Sequence, residues 1–350
     1  MNKPCVISHP DQVTAVWLGE TLHRAGLLSG PQDVAAVEKL PAGDRAWSRI
    51  THLRVDYRVP TGLPCRLLLK ICAHEAGTFG RSEVDYYLRD YDGVTDAPLP
   101  RCFDAAYADE PRRYHLLLED LSDSHVSGDE ALPPDLGLAL ALGESLASLH
   151  APHWGRVAPP ERAEIERYVG HVRPGMEPLL TLAGLDAPWP GWLRGLMVSL
   201  ADRLLERARD PRGLTLVHGD LNPGNLLIPR SRRGPVLLLD RQPFDWSLTR
   251  WLGAGDLVNA VVCWWDEPVR RALGEPLLRR YHAALCERGI EGYTLAQLRK
   301  DYELCLAMAV AIPVEWCVRE SDRERMRPLW AQQLRRALAA CADHGAFVPA

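Results

Sequence analysis

The spacing of apolar residues changes along the chain, from a period of two in the first third to a helical period in the rest. Between Leu53 and Val59, apolar and charged residues alternate, which is typical of a strand with one buried face. Further apolar runs bounded by turn residues predict strands at 34–40, at 65–72 and twice within 98–121. We therefore expect a small antiparallel sheet in the N-terminal third.

Apolar residues at helical spacing predict the remaining elements. A short helix is expected at 82–89, and an earlier one follows a capping-box arrangement at 8–11 and ends at Gly26. Further helices are predicted at 134–150, from 192 onward, and at 257–265, 268–288, 294–316 and 326–341. A stretch rich in Pro and Gly separates the first two of these. The sequence thus predicts an α+β fold, with a β-rich domain over 1–120 and a helical domain over 121–350.

The composition adds limits to this picture. The chain has 350 residues, 47% of them hydrophobic and 25% charged, with a net charge of −5, which describes an ordinary globular protein. Because basic residues are not in excess, we expect no nucleic-acid partner. We expect no membrane association, since no signal peptide and no uncharged run of the ~20 apolar residues that span a bilayer is present. Nine cysteines without a Cys-x-x-Cys pair indicate reduced thiols in a cytoplasmic protein.

Two apolar runs near the middle of the chain end in polar groups. The first, 214–217, leads into His218-Gly219-Asp220, and Asn225 follows Asp220 by five positions. The second, 236–239, ends at Asp240. Buried runs of this kind place their terminal residues at the rim of a core. Asp220 can accept a proton there, while Asn225 and Asp240 carry the oxygen ligands that Mg²⁺ prefers.

This arrangement resembles the catalytic loop and metal-binding acid of protein-kinase-like enzymes. A glycine at position 219, where protein kinases have arginine, is similar to the aminoglycoside phosphotransferase and choline-kinase-like branch. The resemblance implies a two-lobed fold with ATP in the cleft, and transfer of phosphate to a hydroxyl group of a small molecule. It also implies that Asp220 is the base, that His218 braces the loop backbone, and that Asn225 and Asp240 bind Mg²⁺.

Two residues upstream fit the nucleotide side of this resemblance. Arginine supplies nearly all the positive charge, and one of only four lysines, Lys70, lies near the end of an apolar run. Glu83 follows it by thirteen positions. In the family, such an acid pairs with the lysine and directs it to the α- and β-phosphates of ATP. Asp85 is the competing acid.

The remaining nucleotide contacts are assigned by position. The turn over the phosphates would lie at 42–48, with backbone groups near Gly43 and the hydroxyl of Ser48 as contacts. The hinge that reads the adenine edge would include Glu119 and Leu121. No Gly-x-x-x-x-Gly-Lys-[Ser/Thr] motif is present, which excludes a P-loop.

The sequence departs from the family pattern after Asp240. Arg-Gln-Pro-Phe replaces the expected aromatic residue, and Asp245-Trp246 forms a second register in which Asp245 is the metal-binding acid. Asp256 matches the family's helix-opening acid, which holds the catalytic-loop backbone, and a plain helix N-cap is the alternative.

Other features concern the acceptor, which the sequence leaves open between an aminoglycoside, a sugar, a macrolide, a choline-like cation and other metabolites. Candidate pocket residues in the helical part are aromatic or acidic: Trp246, Trp251, Trp264, Trp265, Asp266, Glu267, Asp301, Tyr302, Glu315 and Trp316. Two alternative functions remain. One is an atypical protein kinase, although the Ala-Pro-Glu motif is missing, and the other is a catalytically weak nucleotide-binding regulator.

Overall fold

The computed structural model describes residues 6–44, 48–73, 79–129, 133–182 and 191–347. The chain folds into two compact units. Unit 1 contains the described residues of Met1–Thr95, Leu99–His125 and Leu239–Asp245, and unit 2 contains those of Asp96–Pro98, Val126–Leu238 and Trp246–Ala350. The first unit thus continues past the predicted boundary at 120, and it takes in a short segment from much later in the chain.

Unit 1 is built on an antiparallel sheet in the order β1-β2-β3-β5-β4. Its strands are β1 (Val34–Asp44), β2 (Ser48–Tyr57), β3 (Arg66–Ala73), β4 (Cys102–Asp109) and β5 (Arg112–Glu119). These are the strands predicted from the alternating pattern and the apolar runs, but β1 extends further than expected and β2 begins at Ser48 rather than near Leu53. The register pairs Lys70 of β3 with Ile50 on one side and Leu116 on the other. Lys70 therefore belongs to the central strand.

Two helical segments accompany this sheet. Helix α1 (Ala15–Arg24) is capped by Thr14, whereas the capping box lies at His9 and Gln12 rather than at the predicted 8–11, and it caps only a 3₁₀ turn at Pro10–Gln12. Helix α2 (Ser82–Asp85) continues into a π-helical turn, Tyr86–Asp90. Alternate residues of the strands and the inner face of α1 form the core: Leu18, Leu22, Leu53, Val55, Leu67, Leu69 and Leu117.

Unit 2 is mainly helical. Its helices in the described part of the chain are α3 (Leu136–His150), α4 (Arg162–Val172), α5 (Met176–Thr181), α6 (Trp192–Arg207), α7 (Gly253–Val262), α8 (Glu267–Glu287), α9 (Leu295–Trp316), α10 (Glu320–Arg325) and α11 (Arg327–Asp343). Its short strands are β6 (His125–Ser127), β7 (Leu214–Leu216), β8 (Leu226–Pro229), β9 (Leu237–Leu238) and β10 (Arg250–Leu252). They form one sheet of order β6-β8-β9 and a second of order β10-β7.

Most predicted helices are present, and the short helix α10 (Glu320–Arg325) is one that the sequence did not predict. The stretch rich in Pro and Gly contains α4 and α5, which the sequence analysis did not predict. Helix α7 begins at Gly253, four positions earlier than expected. Within the described residues, no helix is long and apolar enough to cross a membrane.

Candidate active site

Lys70 is the centre of a charged cluster in unit 1. Its Nζ donates to Glu83 Oε1 at 2.7 Å, to Glu83 Oε2 at 2.9 Å and to Asp240 Oδ1 at 2.8 Å. The predicted pairing of Lys70 with Glu83 is therefore confirmed. Asp85 pairs instead with Arg89 on the helix surface, at 3.0 Å. Helix α2 thus presents one acid to the sheet and the other to a neighbouring arginine.

Burial and charge act in opposite directions on Lys70. Its side chain is 6% exposed and that of Glu83 only 1%, so neither group is solvated by bulk water. Burial alone would lower the pKa of Lys70, but the carboxylates of Asp240 and Glu83 outweigh burial and raise this pKa well above its usual value. The Tyr114 hydroxyl also donates to Glu83 Oε2. The ammonium group is therefore held charged and in a fixed position.

Asp240 has an unusual backbone conformation. Its φ is +57°, in the left-handed region that residues other than glycine rarely adopt. Such strain persists where surrounding contacts determine the conformation, and it is concentrated at functional sites. The Asp240 side chain is 30% exposed, so it is the most accessible acid of the cluster. The alternative metal-binding acid, Asp245, instead forms an ion pair with Arg112 at 2.5 Å.

In unit 2, the loop after β7 holds the carboxylate of Asp220 between two amides. Asn225 Nδ2 donates to the Asp220 carbonyl at 2.7 Å and to Oδ2 at 3.1 Å, and Asn222 Nδ2 donates to Oδ1 at 3.1 Å. The Asp220 N–H donates to His218 Nδ1 at 3.3 Å, so His218 does contact the loop backbone, as expected. The five-residue spacing follows from a 3₁₀ turn at Pro223–Asn225, which returns Asn225 to Asp220.

The backbone of this loop is fixed by helix α7. Asp256 Oδ2 accepts from the His218 N–H at 2.6 Å, and its Oδ1 accepts from the Gly219 N–H at 2.9 Å. Because α7 begins at Gly253, Asp256 is not its N-cap, and the prediction that Asp256 holds the backbone of this loop is confirmed. One turn further along α7, Asn259 Oδ1 accepts from the Leu221 N–H at 2.5 Å.

His150, the last residue of α3, supports Asp256 from behind. Its Nε2 lies 3.0 Å from Asp256 Oδ2 and its Nδ1 lies 2.8 Å from the Tyr281 hydroxyl. Burial alone would raise the pKa of Asp256, but hydrogen bonding and charge from His150, with the contribution of His218, lower it. Asp256 therefore remains ionised and keeps two loop N–H groups bound.

Comparison with known proteins was made at the levels of sequence and of structure. No protein-family model and no curated protein matches the sequence. A choline/ethanolamine kinase family protein from Mesorhizobium loti has a similar structure, with 15% identity over 94% of this chain and 99% of that chain and a TM-score of 0.54. A microcompartment-associated aminopropanol kinase gives 15% identity over 93% of this chain and 98% of that chain and a TM-score of 0.53. Aminoglycoside 2'-phosphotransferase-IIIa gives 16% identity over 92% of this chain and 99% of that chain and a TM-score of 0.51.

This chain has a protein-kinase-like fold. The fold is of the two-lobed α+β type predicted from the sequence, with the antiparallel sheet in one unit and most helices in the other. The identities are low, and they establish the fold alone.

The other nucleotide-binding assignments made from the sequence remain predictions in this kinase-like fold. Gly43 lies near the end of β1 and Ser48 begins β2, so both flank the β1–β2 connection. Residues 45–47 of this connection lie outside the described part of the chain. Glu119 ends β5, where its N–H donates to the Arg101 carbonyl at 2.8 Å, and the Leu121 carbonyl accepts from the His125 N–H at 2.8 Å.

Six of the ten candidate acceptor residues fall into two groups. Four are buried within unit 2: Trp251, Trp265, Asp301 and Tyr302. Trp246 and Glu315 instead both contact His171. The ring of Trp246 stacks on His171 with a centroid distance of 4.0 Å, and His171 Nε2 lies 3.1 Å from Glu315 Oε1.

The oxygen donors present fit magnesium better than a transition metal. The described residues contain no group of three or more His, Cys, Asp or Glu side chains that could hold a metal ion. Mg²⁺ does not need such a group, because it is commonly bound by one or two carboxylates together with phosphate oxygens and water. Asn225 donates to Asp220 through Nδ2, so its Oδ1 is the atom suited to a cation.

Sequence reasoning missed three residues that organise the site. They are His150, Asn259 and Arg241. His150 had a weak signal, since a histidine at the end of an apolar helix calls for a polar partner. Asn259 lies three positions after Asp256, on the same face of α7, so the Asp256 assignment could have identified it. Arg241 carried no local signal, because its partner Asp90 is far away in the sequence.

Proposed function

We propose that this protein is an ATP- and Mg²⁺-dependent phosphotransferase that phosphorylates a hydroxyl group of a small molecule. The observation that carries this proposal is the buried cluster of Lys70, Glu83 and Asp240, because it joins a fixed cation to an accessible acid. The position of Asp220 between two amides of its own loop supports the same reaction. The structural neighbours whose names contain choline/ethanolamine kinase, aminopropanol kinase and aminoglycoside phosphotransferase are consistent with it.

Phosphoryl transfer depends more on positioning and charge stabilisation than on covalent participation of the protein. In the proposed mechanism Lys70, held by Glu83, binds the α- and β-phosphates. Asn225 and Asp240 are the proposed ligands of Mg²⁺, which would neutralise charge on the phosphate oxygens. Backbone groups near Gly43, the Ser48 hydroxyl and the hinge residues Glu119 and Leu121 remain proposed nucleotide contacts.

Asp220 would act on the acceptor. Its carboxylate accepts the hydroxyl proton as the acceptor oxygen bonds to the γ-phosphorus, and the bond from that phosphorus to the bridging oxygen breaks to release ADP. The two amides on Asp220 fix the rotamer in which it meets the hydroxyl. His218 and Asp256 hold the loop backbone during this transfer.

A screen for phosphorylated products tests this function. The purified protein is incubated with ATP, Mg²⁺ and a panel of hydroxyl-bearing metabolites and antibiotics, and products are identified by the mass of one added phosphoryl group. Asp240→Asn is the loss variant, and Asp245→Asn is the matched control, because Asp245 lies in an ion pair with Arg112. We expect product with wild type and with Asp245→Asn, but not with Asp240→Asn or after chelation of Mg²⁺.

Two outcomes would change this proposal. Loss of product with Asp245→Asn and its retention with Asp240→Asn would transfer the metal role to Asp245. Binding of ATP without formation of any product or ADP would contradict the proposed phosphotransferase activity and favour a nucleotide-binding regulator.

A further inference from the structure

Residues Leu239–Asp245 belong to unit 1, where they contact the start of helix α2 and the residues just before it. Ser82 Oγ donates to the Gln242 carbonyl at 2.6 Å, and the Gly80 N–H donates to the Pro243 carbonyl at 2.7 Å. The rings of Phe79 and Phe244 pack with centroids 5.7 Å apart. The segment that carries Asp240 is therefore anchored to the element that carries Glu83.

Arg241, directly after Asp240, contacts both α2 and the π-helical turn that follows it. Its Nη1 donates to Asp90 Oδ2 at 2.9 Å and to the Ser82 carbonyl at 3.3 Å, and its guanidinium lies 5.0 Å from the centre of the Tyr86 ring. It thus contacts both ends of the helical segment formed by α2 and its π-helical turn.

The burial of this ion pair suggests a positional purpose. The Arg241 side chain is 2% exposed and that of Asp90 is 7% exposed. A buried ion pair gives little net stability compared with apolar groups of the same volume, because both charges lose their hydration. Its directional hydrogen bonds do fix a geometry, because guanidinium presents its donors in a rigid planar fork, whereas an ammonium group is a compact point charge on a flexible chain.

The backbone conformation of Asp240 is the geometry that these contacts hold. Asp240 adopts the left-handed conformation, with φ +57°, and its carboxylate must still reach Lys70 at 2.8 Å. Contacts on both sides of the residue are needed to keep this conformation. Lys70 holds the side chain, and Arg241 holds the backbone immediately after it.

We propose that Arg241 is a positioning residue that sets Asp240 for metal–nucleotide binding through its contacts with Asp90 and Ser82. This inference rests on the proposed function. In this chain the buried Arg241 stands where an aromatic residue was expected after the metal-binding acid. Its contacts join the Asp240 segment to α2.

A binding experiment without turnover tests this role. Bound Mn²⁺ is measured by electron paramagnetic resonance in the presence of ADP, and metal-free ADP binding is measured separately by calorimetry. The variants are Arg241→Met and Arg241→Lys, with Arg270→Met as the matched control. Arg270 is also a buried arginine, 4% exposed and paired with Asp343, but it lies in unit 2 outside the site.

Loss of a group that orients a metal ligand commonly weakens metal binding about 10–100-fold. We therefore expect the Kd of Mn²⁺ with ADP to rise about 10–100-fold in both Arg241 variants, with metal-free ADP binding nearly unchanged. The Arg270→Met control should bind both as the wild type does. If Arg241→Met fails to fold, Arg241→Lys, which keeps the charge but not the fork, makes the same comparison.

Two results would overturn the positioning role alone. One is wild-type affinity for Mn²⁺ with ADP in the variants, and the other is an equal weakening of metal-bound and metal-free ADP. A wild-type protein that shows no metal-dependent ADP binding would overturn both this inference and the proposed function.

Discussion

At the scale of single residues, Lys70 shows how the site balances burial against charge. Its ammonium group donates to both oxygens of Glu83 and to Asp240. Neither Lys70 nor Glu83 has enough exposure to be solvated alone, so each depends on the other. Removing one partner of a buried pair costs more than removing both, because the remaining charge is left without compensation.

This imbalance gives a direct prediction for stability. Lys70→Met should lower the free energy of unfolding by about 3–5 kcal/mol, because Glu83 stays buried without its cation. The double variant Lys70→Met/Glu83→Gln should recover much of this loss. Lys39→Met is the control, since within the described part of the chain Lys39 forms its ion pair with the exposed Asp11, and its loss should change stability by less than about 1 kcal/mol. Urea denaturation measures all four proteins, and an equal loss in the single and double variants would contradict the coupling.

At the scale of elements, the sequence predicted those whose signals are local. Helices α3 and α9 start where expected because Asp135 and Thr294 provide side-chain caps. Helix α4 was missed because prolines and glycines flank this part of the chain, although its buried residues Ile165, Tyr168, Val169 and Val172 do have helical spacing. Strand β9 is shorter than the apolar run at 236–239, because the Val236 N–H donates to Ser145 on α3 instead of to a strand.

The start of helix α7 shows an element fitted closely to its neighbours. A Cβ on Gly253 would lie 2.3 Å from the Tyr281 hydroxyl and 2.8 Å from His150 Nδ1. Gly274 in α8 has no atom within 4 Å of its added Cβ. Glycine at 253 is therefore required by space, while glycine at 274 is not.

This difference predicts opposite effects of the same substitution. Gly253→Ala should destabilise the protein by about 1–3 kcal/mol, because it forces the Tyr281–His150 hydrogen bond apart. Gly274→Ala should stabilise it by about 0.4–1 kcal/mol, because alanine restricts the unfolded chain in a helix that has room for it. Thermal unfolding measures both, and a stabilised Gly253→Ala protein would show that α7 does not pack as described.

At the scale of the whole molecule, unit 1 contains a segment that the chain reaches only after passing through much of unit 2. The sequence predicted the chemistry of this segment from the acid that ends an apolar run, and Asp240 does contact Lys70. It could not predict the partners of Arg241 or His150, because they lie 151 and 106 positions away. Motifs with fixed local spacing were thus predictable, while the long-range contacts that hold them were not.

In the proposed mechanism Asp220 acts in the transfer step and not in binding the nucleotide. The most direct test measures ATP hydrolysis and Mg²⁺-ADP affinity side by side for wild type and Asp220→Asn. Removing a positioned base commonly lowers a rate by about 10²–10⁴, so we predict a loss of that size in hydrolysis with Mg²⁺-ADP affinity essentially retained. Unchanged hydrolysis in Asp220→Asn, or a parallel loss of Mg²⁺-ADP binding, would contradict this role of Asp220.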